Sequence, residues 1–125
     1  MDPKSLQVYY DCYMHATCGA DGPDHQKQNH CISNLTGQDL QDIFKDVENG
    51  FFMYNANTEP GAVHEFCGFE GQKKKTAFTE TLDGLLNYKN MICNSPSDED
   101  QCTRIKRTLD CQFPLLEEFH AQGKC

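Results

Sequence analysis

The residues best suited to acid–base or metal chemistry are the histidines, and their spacing favours neither use. Glu117 and His120 lie three residues apart and would share one face of a helix, but a metal ion needs two or more further ligands. His25 and His30 are five residues apart, which points them to different sides of a helix. The full set is His15, His25, His30, His64 and His120. We therefore expect solvated surface histidines, with no metal and no other cofactor.

Cysteine is far more informative, because the residues are numerous and spread over the whole chain. There are eight of them: Cys12, Cys18, Cys31, Cys67, Cys93, Cys102, Cys111 and Cys125. No two are separated by only two to four residues, so the paired spacing of a structural zinc site is missing. Cytosolic proteins rarely keep so many thiols, so the eight cysteines predict four disulfides and a secreted, extracellular protein. Their spacing leaves the pairing open, since eight cysteines can pair in roughly a hundred ways.

The sequence also lacks the signatures of hydrolases. None of the four serines lies in a Gly-x-Ser-x-Gly turn, and a cysteine nucleophile is excluded if all eight cysteines are paired. Residues 11–18 differ from the active-site segment of phospholipase A2, another small helical disulfide-rich fold, because they contain neither a His-Asp pair nor adjacent cysteines. The sequence therefore predicts a protein that is not an enzyme.

The composition is acidic and poor in core-forming residues. The chain has 125 residues, a net charge of −8 and only 24 residues that are Leu, Ile, Val or Phe. This acidity argues against nucleic acid as a partner, since phosphate binding needs a basic surface. No stretch approaches the roughly 18 apolar residues of a membrane-spanning helix, so we expect no transmembrane segment. The length fits one domain, residues 1–125, in which disulfides compensate for a thin core.

Two further features concern export from the cell. Asn34-Leu35-Thr36 is a sequon for N-glycosylation, and a sugar there would place Asn34 at the surface. Residues 1–15 contain no continuous apolar run, so they do not resemble a signal peptide. We therefore expect the chain to be the mature form of a secreted protein.

Helix signals occur throughout the chain, whereas strand-like alternation is missing. Asp2 followed by Pro3 predicts the start of a first helix, and Thr36 with Asp39 resembles a capping box. Further helices are expected at about 25–34, near Pro60, over 76–92, after Ser97 and from Pro114 onwards, with a loop at 68–75. The predicted fold class is all-α: a disulfide-stapled bundle of five or six short helices in a single compact domain.

The spacing of Cys102 and Cys111 predicts how the helix that contains them is linked to its neighbours. They are nine residues apart, which is two and a half turns of an α-helix, so their side chains would leave opposite faces. If this helix is continuous, the two cysteines must bond to two different neighbours.

Large aromatic residues and Met are concentrated in the middle of the chain. The candidate residues are Phe51, Phe52, Met53, Tyr54, Phe66 and Phe78. The simplest interpretation is that they replace scarce Leu and Ile in the core. Two functional interpretations stay open: the residues line a pocket for a small apolar ligand, or they form an exposed patch that binds a protein partner, with a homodimer as one form of this.

Together these observations predict a secreted, non-enzymatic binding protein. The first hypothesis is a carrier of a small apolar ligand held between helices. The alternative is an extracellular protein-interaction module, such as a venom-type effector, an inhibitor or a structural component of a secretion. The eight residues between Cys102 and Cys111 resemble one spacing of insect odorant-binding proteins, which are acidic, helical, cystine-stapled carriers. The other spacings differ, so the resemblance concerns the class of protein.

Overall fold

The computed structural model describes residues 1–19 and 22–125, and this part of the chain contains helices and no strand. The six α-helices are α1 (Pro3–Cys18), α2 (Pro23–Ile32), α3 (Gly37–Glu48), α4 (Glu59–Gly68), α5 (Gly71–Cys93) and α6 (Glu99–Ala121). The prediction of an all-α, disulfide-stapled bundle is confirmed. Helices α5 and α6 have 23 residues each, so both are longer than the predicted helices in those regions. None of the described helices is both long enough and apolar enough to cross a membrane.

The chain groups into two compact units. The terminal unit comprises Met1–Asn34 and Arg107–Cys125, and the central unit comprises Leu35–Lys106. Helix α6 begins in the central unit and ends in the terminal unit. The expectation of one domain over residues 1–125 stays a prediction.

The helix starts at Asp2 and Thr36 follow the sequence signals closely. The Asp2 side chain accepts a hydrogen bond from the Ser5 backbone N–H at 2.9 Å, with Pro3 at the first helical position. Thr36 and Asp39 form a reciprocal capping box, each side chain accepting from the other residue's backbone N–H at 3.0 Å. Such caps satisfy N–H groups that have no partner within the helix, so both predicted starts are confirmed.

Two boundaries in the second half of the chain differ from the predictions. Helix α5 begins at Gly71, so Lys73, Lys74 and Lys75 are helical and do not lie in a loop. The ammonium groups of Lys73 and Lys74 contact aromatic rings, since they lie 4.4 Å and 5.7 Å from the ring centroids of Phe69 and Phe66. Such cation–π contacts favour an ordered helix over a solvated loop.

No separate helix begins at Pro114, which instead lies inside α6. A proline within a helix removes one backbone hydrogen bond and usually ends or kinks the helix. Here Leu116 and Phe119, which follow it, are both buried in the terminal unit. Burial of this apolar face favours continuing the helix through the proline. At its other end, α6 begins at Glu99 after a short 3₁₀ helix over Pro96–Asp98, so Ser97 does not cap it.

All eight cysteines are disulfide-bonded. Cys12 is bonded to Cys125 and Cys31 to Cys111 in the terminal unit, whereas Cys93 is bonded to Cys102 in the central unit. Cys102 and Cys111 therefore bond to different helices, as the half-turn offset between them predicts for a continuous helix.

One buried apolar cluster of the terminal unit lies where α1 meets the end of α6. Its buried members are Cys12, Ala16, Leu116 and Phe119, and Val8, Tyr9, Tyr13 and Leu115 pack around them. Cys12 and Ala16 are four residues apart on α1, and Leu116 and Phe119 are three apart on α6, so each helix presents one apolar face.

The central unit has a larger core, in which α3 packs against α5. Gly84 makes this packing close, because a Cβ atom at that position would lie 2.9 Å from Val47 Cγ2 and 3.1 Å from Phe51 Cγ. The buried residues around this contact include Phe44, Val47, Phe78, Tyr88 and Ile92. A glycine that weakens the helix by itself thus lets two helices approach.

One buried ion pair lies within the central unit. Asp39 is 2% exposed, and its carboxylate accepts hydrogen bonds from Arg104 Nε at 2.6 Å and Arg104 Nη2 at 2.9 Å. Gln101 Nε2 also donates to it, at 3.2 Å. The Arg104 hydrogen bonds are the main reason why the pKa of Asp39 falls to about 2. The residue that caps α3 therefore also anchors α6.

Candidate binding surfaces

An open groove of about 600 Å³ lies between α2 and the second half of α6, within the terminal unit. We call it the α2–α6 groove. It is lined by Pro23, Gln26, Lys27, His30 and Cys31 of α2 and by Cys111, Pro114, Leu115 and Glu118 of α6. The α6 residues have the spacing i, i+3, i+4 and i+7, so they form one continuous helix face.

Most of the groove surface is apolar. Pro23 and Pro114 contribute ring faces, Leu115 contributes an aliphatic side chain, and the Cys31–Cys111 disulfide joins the two walls. Pro114 is exposed, so the prolyl ring inside α6 faces solvent instead of the core. These are poor hydrogen-bonding groups, and water in contact with them is readily displaced by an apolar molecule.

The start of α2, at one end of the groove, is held by polar contacts to other parts of the terminal unit. Asp24 lies 2.8 Å from His15 Nε2 and 3.1 Å from Lys124 Nζ, and both contacts lower its pKa. The ring of His25 lies 2.8 Å from the backbone oxygen of Ala16. Pro23 and Gln26 therefore lie on a helix turn whose position is set by its neighbours.

Charged and titratable side chains border the groove on both walls. Lys27 and His30 are exposed on α2, and Glu118 is exposed on α6. Lys27 forms no ion pair with any residue that the structure describes, whereas Lys124 is already paired with Asp24. The groove thus combines an apolar interior with the ammonium group of Lys27, which has no ion-pair partner among the described residues.

A second candidate region is a group of aromatic rings in the central unit. The rings of Phe52 and Tyr54 lie 4.7 Å apart between centroids, Phe52 and Phe69 5.9 Å apart, and Tyr54 and Phe69 6.2 Å apart and stacked. The Tyr54 hydroxyl lies 2.7 Å from Thr81 Oγ1, and burial raises the pKa of Tyr54. We call Phe52, Tyr54 and Phe69 the aromatic cluster.

The connection that carries Phe52 and Tyr54 of this cluster is held by a side chain of α4. Glu65 accepts hydrogen bonds from the backbone N–H groups of Asn55 and Ala56, at 3.0 and 2.9 Å. These bonds satisfy backbone donors that have no helical partner, so the connection between α3 and α4 keeps a defined path.

The six predicted patch residues differ widely in exposure. Tyr54, Phe66 and Phe78 are buried, Phe51 and Phe52 are half-buried, and Met53 is 72% exposed. Phe52 and Tyr54 do lie together, with Phe69 as their third member, whereas Phe51 packs against Gly84. None of the six lines the α2–α6 groove. That these residues bind a ligand or a partner stays a prediction.

The candidate metal ligands do not converge. Glu117 accepts a hydrogen bond from the Tyr9 hydroxyl at 2.5 Å, which raises the pKa of Tyr9 to about 12. His120 instead lies 2.8 Å from the backbone oxygen of Cys125. Within residues 1–19 and 22–125, no three His, Cys, Asp or Glu residues are grouped so that they could hold a metal ion.

Asn34, the candidate glycosylation site, lies just after α2. Its side chain is half-buried, and Nδ2 donates a hydrogen bond to the backbone oxygen of Cys31 at 3.0 Å. Glycosylation of Asn34 stays a prediction.

Sequence reasoning missed the α2–α6 groove, although its parts were visible. The i, i+3, i+4, i+7 pattern from Cys111 to Glu118 marks one face of a helix, and Lys27 and Cys31 lie one turn apart. The sequence does not reveal that Cys31 is bonded to Cys111. This disulfide brings the two helix faces together.

Compared with protein-family models, with curated proteins and with solved structures, the chain matches none.

Proposed function

We propose that this chain is a secreted, non-enzymatic binding protein that holds a small apolar ligand in the α2–α6 groove. The observation that carries the proposal is the groove itself: its volume of about 600 Å³ and its lining by two prolines, a leucine and a disulfide. Sites for small molecules commonly have volumes of roughly 300–1,000 Å³ and mostly apolar walls with a few polar groups.

The disulfides support secretion and a non-catalytic role. Four structural disulfides persist in oxidising compartments and are rare in the cytosol. Because all eight cysteines are oxidised, none offers a thiolate nucleophile. The Cys31–Cys111 disulfide also holds the groove walls together before any ligand arrives, which lowers the entropic cost of binding.

The proposal can be tested by titrating the protein with Nile red, a neutral apolar dye whose emission rises in apolar surroundings. We expect saturable binding to the native chain. The variant Gln26→Trp, which places a large side chain in the groove, should lose this binding. Gln26 is exposed, so the change does not disturb the core.

Asn87→Trp is the matched control, because Asn87 is an exposed helical residue of α5 in the central unit. The native chain has no tryptophan, so each variant carries a single one at a known place. Equal loss in both variants, or equal retention, would place the dye outside the groove and overturn the proposal.

The second candidate function is a protein-interaction module that uses the region of the aromatic cluster. The observation in its favour is Met53, which is 72% exposed beside the half-buried Phe52. If the occupant is a second copy of the chain, Met53→Asp should abolish a dimer detected by sedimentation. Met91→Asp, at a methionine that is 51% exposed on α5, should leave it intact. A native chain that stays monomeric at high concentration excludes this homodimer.

A further inference from the structure

We infer that the natural occupant of the α2–α6 groove is an aliphatic monocarboxylate, with its alkyl tail on the apolar walls and its carboxylate at Lys27. This inference rests on the proposed function and adds the chemical class of the ligand.

The walls favour an alkyl tail over a polar or strongly aromatic ligand. Pro23, Pro114, Leu115 and the Cys31–Cys111 disulfide present aliphatic carbon and sulfur. Among the described residues, no Phe or Tyr side chain lines the groove, so stacking on a large apolar ring contributes nothing to recognition there. The groove is open along the helices, which suits a flexible chain better than a compact ring system.

The head group is indicated by the charge on the α2 wall. Lys27 lines the groove, is exposed and has no ion-pair partner among the described residues. The chain as a whole has a net charge of −8, so this ammonium group gives the α2 wall a local positive charge. A carboxylate placed beside it would gain both attraction and a charge-assisted hydrogen bond. His30, one helical turn further, can donate a second hydrogen bond through its ring.

The opposite wall limits the charge of the ligand. Glu118 faces the groove from α6, so a second negative charge on the ligand would be repelled. Lys124 does not offset this repulsion, because it is paired with Asp24 at 3.1 Å. A single carboxylate fits this balance, whereas a dicarboxylate or a phosphate monoester does not.

The experiment compares dodecanoate with dodecanol as competitors of bound Nile red, each kept below the concentration at which it forms micelles. The two molecules share one alkyl tail and differ in the charged head. For the native chain we expect both to displace the dye, with dodecanoate the stronger competitor by about fivefold at low ionic strength, as for an exposed ion pair. Added salt should reduce the difference in competing strength between dodecanoate and dodecanol.

The variant Lys27→Gln should remove the advantage of dodecanoate and leave dodecanol unchanged, and Lys27→Glu should make dodecanoate the weaker competitor. Lys45→Gln is the control, since Lys45 is an exposed helical lysine of the central unit. Lys27 is exposed, so far-ultraviolet circular dichroism of the variants should match that of the native chain.

The outcomes separate the inference from the function on which it rests. If both competitors displace the dye equally, or if Lys27→Gln weakens both by the same factor, the inference is wrong and the apolar binding function stands. If neither the dye nor the competitors bind, both fail together.

Discussion

The interactions that stabilise the terminal unit internally differ from those that stabilise the central unit. The terminal unit joins two segments from opposite ends of the chain through disulfides with sequence separations of 113 and 80, and an apolar cluster is buried where α1 meets the end of α6. The central unit is one continuous segment with a disulfide of separation nine, and it relies on close helix packing and a buried ion pair. Joining distant segments costs more chain entropy, and long-range disulfides offset that cost in the unfolded state.

The difference also separates the two candidate surfaces. The α2–α6 groove depends on a covalent bond between its walls, whereas the aromatic cluster depends on the path of a segment held by Glu65. A change that loosens one surface should therefore leave the other largely intact, and substitutions can test the comparison one unit at a time.

The largest effect is expected from removing the long-range disulfide. The double variant Cys31→Ala, Cys111→Ala should lower the free energy of unfolding by about 4 kcal/mol. The corresponding removal of Cys93–Cys102 should cost about 2.5 kcal/mol, because the loop that it closes is much shorter. Urea unfolding followed by circular dichroism gives both values. Equal losses would contradict the view that loop length distinguishes the units.

A packing variant probes the central unit. Gly84→Val should lower the free energy of unfolding by about 3 kcal/mol, because the new side chain overlaps Val47 and Phe51. Gly68→Val is the control, since Gly68 is also helical and, apart from its chain neighbours and the backbone of its own helix, no described atom lies within 4 Å of a Cβ built there. If both variants lose the same small amount, helix propensity accounts for the loss and close packing of α3 on α5 does not.

The buried ion pair should give the central unit a specific acid dependence. The pKa of Asp39 is lowered on folding from 3.8 to about 2, so the ionised form stabilises the fold. That contribution, about 2 kcal/mol, is complete above the unfolded pKa and is lost as the pH falls through the folded value. Asp39→Asn should therefore be less stable than the native chain at neutral pH and nearly equal to it near pH 2.

Asp83→Asn, at an exposed position on α5, is the matched control and should follow the native pH profile. The test is to measure the urea midpoint of the native chain and of both variants between neutral pH and about pH 2. A constant gap between Asp39→Asn and the native chain would show that the ion pair with Arg104 is not the source of the effect.

The smallest expected effects concern helix caps. Thr36→Ala removes an internal cap of the central unit and should cost about 1 kcal/mol. Asp2→Ala removes the cap of α1, whose hydrogen bond with Ser5 is exposed to competing water, whereas that of Thr36 is partly buried, and should cost about half as much. Thermal unfolding of both variants measures the difference. A larger loss for Asp2→Ala would mean that the terminal unit depends on its helix ends more than its disulfides suggest.

The sequence was most informative where structure depends on near neighbours. The caps at Asp2 and Thr36 involve residues three apart, so their signals are complete within a few positions. The helix through Pro114 was mispredicted because burial of Leu116 and Phe119, which is a tertiary effect, outweighs the local preference of proline. The loop predicted over residues 68–75 is wrong for Lys73 and Lys74, because their contacts with Phe69 and Phe66 cannot be inferred from the local sequence.

The candidate site shows the same limit more strongly. The six aromatic and Met residues were selected by their type, yet their exposure ranges from Met53 at 72% to Phe66 at 4%. The α2–α6 groove instead combines residues 23–31 with residues 111–118, whose proximity follows from one disulfide pairing that spacing could not reveal. Local sequence patterns thus predicted the helices. The α2–α6 groove could not be predicted without knowing that Cys31 is bonded to Cys111.

The Cys12–Cys125 disulfide closes residues 12–125 into a covalent ring. A protease that nicks one peptide bond between these residues opens the ring but releases no fragment, because both new ends stay attached through the cystine. Such a nick would leave the mass almost unchanged, increased only by one water molecule, and two pieces would separate only after reduction. The protein can therefore be cut once in an exposed connection and still keep both of its units on one molecule.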